Sequence, residues 1–327
     1  MDCKARVTKS GAILLGSNYT IDGYHKRPIR VVTHAHSDHT KGLGRSARES
    51  LLVIATPYTF KFLDVLGYRV PLEKRVELPY GGSMEFDGER VRLLKARHIA
   101  GSAQVLVETA EGSYGYTSDF KMPGTPPLKG LDCLVVDATY GSPRLQRRWG
   151  EWDALAALME IIDRFIGEGP VWIYGYHGKL QEVMAQLRLR GVRLEFMADS
   201  RTVALARIAS EFYGVDVEPL RIYSGDNIDY SAIVFAHMSK VKSYSRRPGI
   251  HVRLTGWELR APAAWAGDRL INVAFSDHAT FREIVSYVEE AKPRLVLIDG
   301  VRSTDAWFTA KYVEKVLGIP ATVSPSQ

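Results

Sequence analysis

Three histidines and one aspartate fall within six consecutive positions, His34-Ala35-His36-Ser37-Asp38-His39, directly after the apolar run Ile29 to Thr33. A β-type run ending in such a loop constrains the fold, because the strand must be held firmly for the loop to aim its donors at common points. In extended chain His34 and His36 point the same way, while Asp38 and His39 can turn toward a second point. Nitrogen and oxygen donors at this density suit two adjacent cations. Cys3 and Cys133 form no C-x-x-C pair and are too few for a disulfide framework, so any metal here is held by histidine and carboxylate.

Around this loop the chain is ordinary. Hydrophobic residues make up 46% of its 327 and charged residues 24%, which excludes disordered and fibrous classes. No repeat or low-complexity tract is visible. The N-terminal stretch MDCKAR lacks an apolar core of signal-peptide length, and no run reaches 18 apolar residues, so a cytoplasmic protein without a membrane association is expected. The net charge of +6 permits a polyanionic partner without requiring one.

From residue 10 to about 140, short β-type runs alternate with turns (Ala12 to Leu15, Ile29 to Thr33, Leu51 to Ala55, Val91 to Lys95, Gln104 to Glu108, Tyr114 to Thr117, Cys133 to Asp137). One helix, near Thr56 to Leu66, interrupts them, as in sheets packed face to face. The middle changes character: helices at Glu151 to Phe165, Lys179 to Leu189 and Arg201 to Phe212 alternate with strands at Val171 to Tyr174 and Arg193 to Phe196, a parallel α/β unit. After Gly249 the β runs return, followed by a helix at Ala279 to Ala291 and a strand at Leu295 to Asp299. The predicted division is a first domain over 1–145, an insertion over 146–248 and a completing part over 249–327.

The H-x-H-x-D-H loop after a strand resembles the metallo-β-lactamase fold superfamily. That resemblance implies an αββα sandwich and two further ligands in order: a lone histidine, matched by His98, and a metal-bridging aspartate, matched by Asp119 at the end of a β run. It also implies that Asp22 orients the loop without touching metal. Later motifs resemble the β-CASP nuclease branch, in particular the ligase-associated exonuclease type. These are Asp137-Ala138-Thr139-Tyr140-Gly141, the segment Phe275-Ser276-Asp277-His278-Ala279, the segment Gly101-Ser102-Ala103-Gln104, and Gly178-Lys179-Leu180-Gln181-Glu182 at the entry to the first helix after the inserted strand. The α/β insertion lies where that branch keeps its cap. One position departs: the messenger-RNA-processing members end their last core strand with a histidine, where this chain has Asp299 in Leu297-Ile298-Asp299-Gly300. Asp299 is a competent oxygen ligand, and a second-sphere or turn role fits it equally.

The resemblance implies a metal-dependent phosphodiester hydrolase, a DNA or RNA nuclease with exonuclease action favoured. Its hydroxide would be activated by two zinc ions held by His34, His36, Asp38, His39, His98, Asp119 and Asp299, manganese or another divalent ion being the alternative. Catalytic roles fall to Asp38, to His278 as proton donor to the leaving oxygen, and to Asp137 as the carboxylate that orients it. Ser276 or Asp277 could equally cap the following helix. His177 and Lys179, in a glycine-flanked turn from strand to helix, could contact phosphate. Cations of the insert such as Arg147, Arg188, Arg190 and Arg247 interleave with aromatic residues as a single-strand groove requires. A phosphodiesterase for small esters and a non-catalytic nucleic-acid-binding subunit are the competing readings. The sequence does not fix the oligomeric state.

Overall fold

In the computed structural model, residues 3–223 and 228–325 are described. The first two residues of the charged N-terminal stretch lie outside the described residues. The chain divides into two compact units, one formed by Met1–Gln146 with His278–Gln327 and the other by Arg147–Asp277.

The first unit opens with a six-stranded sheet in chain order: β1 (Ala5–Val7), β2 (Ile13–Leu15), β3 (Tyr19–Ile21), β4 (Ile29–Val31), β5 (Leu52–Ala55) and β6 (Arg75–Glu77). Helix α1 (Leu43–Glu49), which has no apolar periodicity and was not expected, packs on β5, and α2 (Pro57–Val65) lies where the predicted helix falls. Pro57 fits the first turn of α2, and the Thr56 hydroxyl accepts from Thr59 N–H at 3.2 Å. The second sheet begins as an antiparallel meander of β7 (Ser83–Phe86), β8 (Glu89–Lys95), β9 (Ala103–Thr109) and β10 (Gly112–Tyr116), with β11 (Cys133–Val136) parallel to β10. Strand β8 alternates, burying Val91 and Leu93 while Arg90 and Lys95 face solvent. Those side chains join Ile13, Leu15, Ile21, Ile29, Val31 and Ile54 of the first sheet in one core. Burial of each such side chain stabilises by about 1.5–3 kcal/mol. Cys3 and Cys133 are joined by a single disulfide that ties the segment before β1 to β11. The pair is 130 residues apart in sequence, and no spacing argument could match them.

The second unit starts with α3 (Glu151–Phe165), whose buried Ala154, Leu155, Leu158, Ile161 and Ile162 form one stripe. Strand β12 (Val171–Gly175), α4 (Lys179–Leu189), β13 (Phe196–Ala198), α5 (Ser200–Tyr213), β14 (Leu220–Ile222) and β15 (Ile233–His237) follow, then the short α6 (Val241–Tyr244), β16 (Ile250–Leu254), β17 (Ala263–Gly267) and β18 (Leu270–Val273). The strands pair in the order β14-β13-β15-β12-β16-β18-β17, all parallel except the edge strand β17. The predicted return to the first domain at residue 249 is therefore corrected to 278. Strand β16 fills the second edge of β12, with Val171 opposite Ile250, and β18 extends the same sheet. With no helix between them, these runs look in sequence like the β-rich first domain. The strand expected at Arg193 to Phe196 starts only at Phe196, because the Arg188 guanidinium takes the Val192 and Leu194 carbonyls at 2.8 and 2.9 Å.

The chain then completes the first unit with α7 (Phe281–Ala291), β19 (Leu295–Asp299), α8 (Ala306–Tyr312) and β20 (Ala321–Ser324). Strand β19 inserts between β11 and β20, and Ile284, Tyr287 and Val288 of α7 pack with Ala310 of α8 on Leu134, Val136, Val296 and Ile298. Two sheets face to face with helices outside give the expected αββα sandwich. Among the described residues no helix is long and apolar enough to cross a membrane.

Candidate metal centre

The histidine loop begins where β4 ends, and a buried carboxylate shapes it. Asp22 accepts from Thr33 N–H at 3.0 Å, from the Thr33 hydroxyl at 2.7 Å and from His39 Nδ1 at 2.6 Å. With Nδ1 fixed in this way, His39 presents Nε2 to the site. Asp22 sits at φ 41 and Ser118, beside Asp119, at φ 57, a left-handed backbone that these residue types tolerate only when held. Arg30, fully buried on β4, donates to the His39 carbonyl at 2.8 Å and locks the loop from below. Opposite, the loop bearing His98 is braced by Gly101, whose carbonyl accepts from the Thr56 and Thr59 hydroxyls at 2.7 and 3.0 Å. A Cβ at Gly101 would lie 2.6 Å from Thr59 N, so the close approach requires glycine. Gln104 donates to the Lys95 and Pro126 carbonyls and accepts from the Tyr287 hydroxyl, so this segment is structural.

The side chains converge in two groups that share one residue. His34, His36, His98 and Asp119 bring ligand atoms within 4.8 Å of one another, and so do Asp38, His39 and Asp119. In the first group Asp119 Oδ2 stands 3.6 Å from both His34 Nε2 and His98 Nε2, and His98 Nε2 is 3.0 Å from His36 Nδ1. In the second, His39 Nε2 is 3.3 Å from Asp38 Oδ2 and 3.2 Å from Asp119 Oδ1. Burial, with His39 and His98 nearby, pushes the His34 imidazole well below its usual range and leaves it neutral, with a lone pair to donate. Burial opposes charge on His39, yet Asp119 and Asp22 outweigh it and raise its proton affinity. Burial likewise opposes charge on Asp119, and His39 and His278 outweigh it and hold the carboxyl well below the carboxylate range.

These residues fit a divalent cation. His34 Nε2, His39 Nε2 and Asp119 Oδ1 are buried without a well-formed hydrogen bond among the described residues, the last two facing each other at 3.2 Å. Each costs about 1–3 kcal/mol if left so, a penalty that a coordinated cation removes. Three imidazoles plus a carboxylate on one side and an imidazole plus two carboxylates on the other are donor sets suited to zinc or manganese.

Beside the shared aspartate, His278 Nδ1 lies 3.4 Å from Asp137 Oδ2, 3.2 Å from the Thr139 hydroxyl and 3.9 Å from Asp119 Oδ2. Thr139 donates to Asp137 at 2.9 Å. Burial, then the Asp119 charge, raises the proton affinity of Asp137. The helix after His278 is capped by Thr280 in a reciprocal pair with Glu283, so Ser276 and Asp277 are not its cap. Asp38, Asp119 and His278 line an open cavity of about 290 Å³ together with Ser10, Lys41 and Arg302.

Two expected roles need correction. Asp299 is fully buried and outside both groups, its oxygens accepting from Val301 N–H, Arg302 N–H and Arg302 Nη1 at 2.9, 3.3 and 2.8 Å. A carboxylate committed in this way ligates nothing else. Lys179 is buried in the second unit with Nζ 3.0 Å from Asp277 Oδ1, so its charge is spent internally rather than on phosphate. The His177 ring lies 4.6 Å from that of His237, tilted by 34°, at the ends of β12 and β15 in the same unit. The basic residues of that unit divide: Arg188 is buried among four carbonyls, Arg190 lies 4.2 Å over the exposed Trp152 and Arg247 4.5 Å over Tyr244, while Arg148, Lys240, Lys242 and Arg246 are exposed. Arg30 and Arg302 were not found from sequence, where a lone arginine after an apolar or turn residue carries no signal.

The family model described as "Beta-lactamase superfamily domain" matches residues 24–168. The chain is 35% identical over 137 residues to the "Uncharacterized protein in lig 3'region" of Acidianus ambivalens, covering 41% of this chain and 97% of the relative. It is 28% identical over 307 residues to a "Probable DNA ligase" of Opitutus terrae, covering 88% of this chain and 28% of the ligase. It is 26% identical over 305 residues to "5' exonuclease Apollo" of Gallus gallus, covering 88% of this chain and 63% of the relative. The chain thus spans less than two thirds of the ligase and of Apollo. The histidine loop after β4, with His98 and Asp119 following in order, agrees with these matches: the chain belongs to the β-lactamase superfamily.

Proposed function

We propose that the protein is a nuclease that hydrolyses phosphodiester bonds of DNA or RNA with exonuclease action, using two zinc ions bound in the two groups that share Asp119. The observation that carries this reading is that shared carboxylate, with the His278–Asp137 pair at its side in an open cavity. When bound, the ions would supply an acidified water and a clamp for a non-bridging phosphoryl oxygen. His34, His36 and His98 would hold one ion and Asp38 with His39 the other, while Asp22 and Arg30 keep the loop in place. His278, directed by Asp137 and Thr139, would hand a proton to the departing alkoxide. The exonuclease in the Apollo name and the ligase relative support a nucleic-acid substrate.

The metal-stripped protein, given single-stranded oligonucleotides or a chromogenic phosphodiester with and without added zinc or manganese, tests the reading. Metal-dependent shortening of the oligonucleotides from an end is expected. Turnover of the small ester with intact oligonucleotides would overturn it.

A further inference from the structure

We propose that the guanidinium of Arg302, anchored on Asp299, is a fixed cation of the second metal subsite, which holds Asp38 in position and weakens that subsite's grip on a divalent ion. The inference rests on the metal-centre reading above. It starts from the position where Asp299 stands in place of a ligating histidine. Asp299 turns both oxygens to the loop that follows β19 and grips Arg302 Nη1 at 2.8 Å. The arginine side chain is 8% exposed and reaches across the cavity wall to Asp38. There Nη2 donates to the Asp38 carbonyl at 3.4 Å, and Nε stands 3.9 Å from Asp38 Oδ2.

Nε is buried and makes no hydrogen bond among the described residues, so the group faces Asp38 with one donor unspent. Asp38 is the least enclosed of the ligands, its side chain 48% exposed, with Oδ2 also 3.3 Å from His39 Nε2. A permanent positive charge beside that carboxylate competes with any ion that Asp38, His39 and Asp119 would bind. Its contacts run to Asp38, a member of the second group and not of the first, so the two subsites should differ in affinity for a reason built into this chain. Asp299 compensates the arginine from the far side, away from the ligands.

Arg302 is thus a positioning residue, and its test is a split in metal affinity. Zn²⁺ is titrated calorimetrically into the chelator-stripped full-length protein, comparing wild type with Arg302→Gln, Arg302→Lys and the double variant Asp299→Asn/Arg302→Gln. The second equivalent is expected to bind about tenfold or more tighter in Arg302→Gln and about fivefold tighter in the double variant, with Arg302→Lys within about twofold of wild type, while the first equivalent is unchanged. If Arg302→Gln fails to fold because Asp299 is left buried and unpaired, the double variant decides, since it removes the pair together. A second equivalent bound no tighter in the folded variants overturns the proposal. Parallel weakening of both equivalents would mark Arg302 as merely structural and also overturn it. Failure of wild type to bind a first equivalent would instead overturn the metal-centre reading.

Discussion

Asp119 presents Oδ2 to the His34, His98 side and Oδ1 to His39, so one carboxylate serves both groups. Positioning of its neighbours falls to residues that touch no ligand atom facing the cavity. Asp22 is the clearest, since three hydrogen bonds from one buried carboxylate fix both the strand end and the His39 ring. Asp22→Ala is expected to weaken zinc binding about 10–100-fold, read by equilibrium dialysis, in line with the loss of other outer-sphere partners. His278 is expected to behave differently. Its replacement by Ala should leave metal content unchanged and slow oligonucleotide cleavage by about 10²–10⁴-fold, while a nitrophenyl phosphodiester, whose leaving group needs no proton, slows far less. Equal slowing of both substrates would remove the proton-donor role. The candidate ligands His34, His36, Asp38, His39, His98 and Asp119 stood out in sequence by their density and order at strand ends, and the fold brings them into two groups. Asp299 was misread because its competitor, Arg302, lies three residues on and only folding shows that it captures the carboxylate.

Strands and turns supply the rigidity that such distances need. The turn after Asp137 depends on Gly141, where an added Cβ would come within 2.2 Å of the Thr304 carbonyl, so Gly141→Ala should lower the melting temperature and displace Asp137 from His278. The Thr280–Glu283 reciprocal cap sets the start of α7 immediately after His278. Thr280→Ala is expected to cost about 1 kcal/mol by thermal unfolding, with zinc stoichiometry retained. Helices α3 and α4 and strand β19 match the sequence-based ranges because long apolar periodicity leaves little choice. The return point at 278 was not legible, because β16 and β18 differ from core strands only in their partners: Ile250 pairs with Val171, and pairing leaves no local pattern. Helix α1 was missed for the converse reason, its seven residues carrying only Leu43, Ser46 and Ala47 as buried positions.

At the scale of the molecule, Arg147–Asp277 is one continuous segment with its own sheet and core, while the first unit is built from two segments. An ion pair of a buried carboxylate with an exposed arginine inside the inserted unit should make its stability sensitive to acid. Glu258 accepts from Arg260 at 2.9 and 2.7 Å and from Asn272 at 3.2 Å, and these bonds, Arg260 first, lower its pKa to about 2. Because the folded value lies below the unfolded value of about 4.3, its stabilising contribution is complete above that pH and is lost as pH falls toward the folded value. The melting temperature of wild type should therefore fall more steeply than that of Glu258→Gln across this window, and parallel curves would remove the assignment. Whether nucleic acid is hydrolysed at the two groups sharing Asp119 is decided by end-labelled single-stranded DNA and RNA incubated with zinc-loaded wild type and Asp119→Ala. Metal-dependent cleavage of at least one of the two by wild type is expected, with none by the folded variant. Equal cleavage by the variant, or no cleavage of either nucleic acid by zinc-loaded wild type, would contradict that assignment.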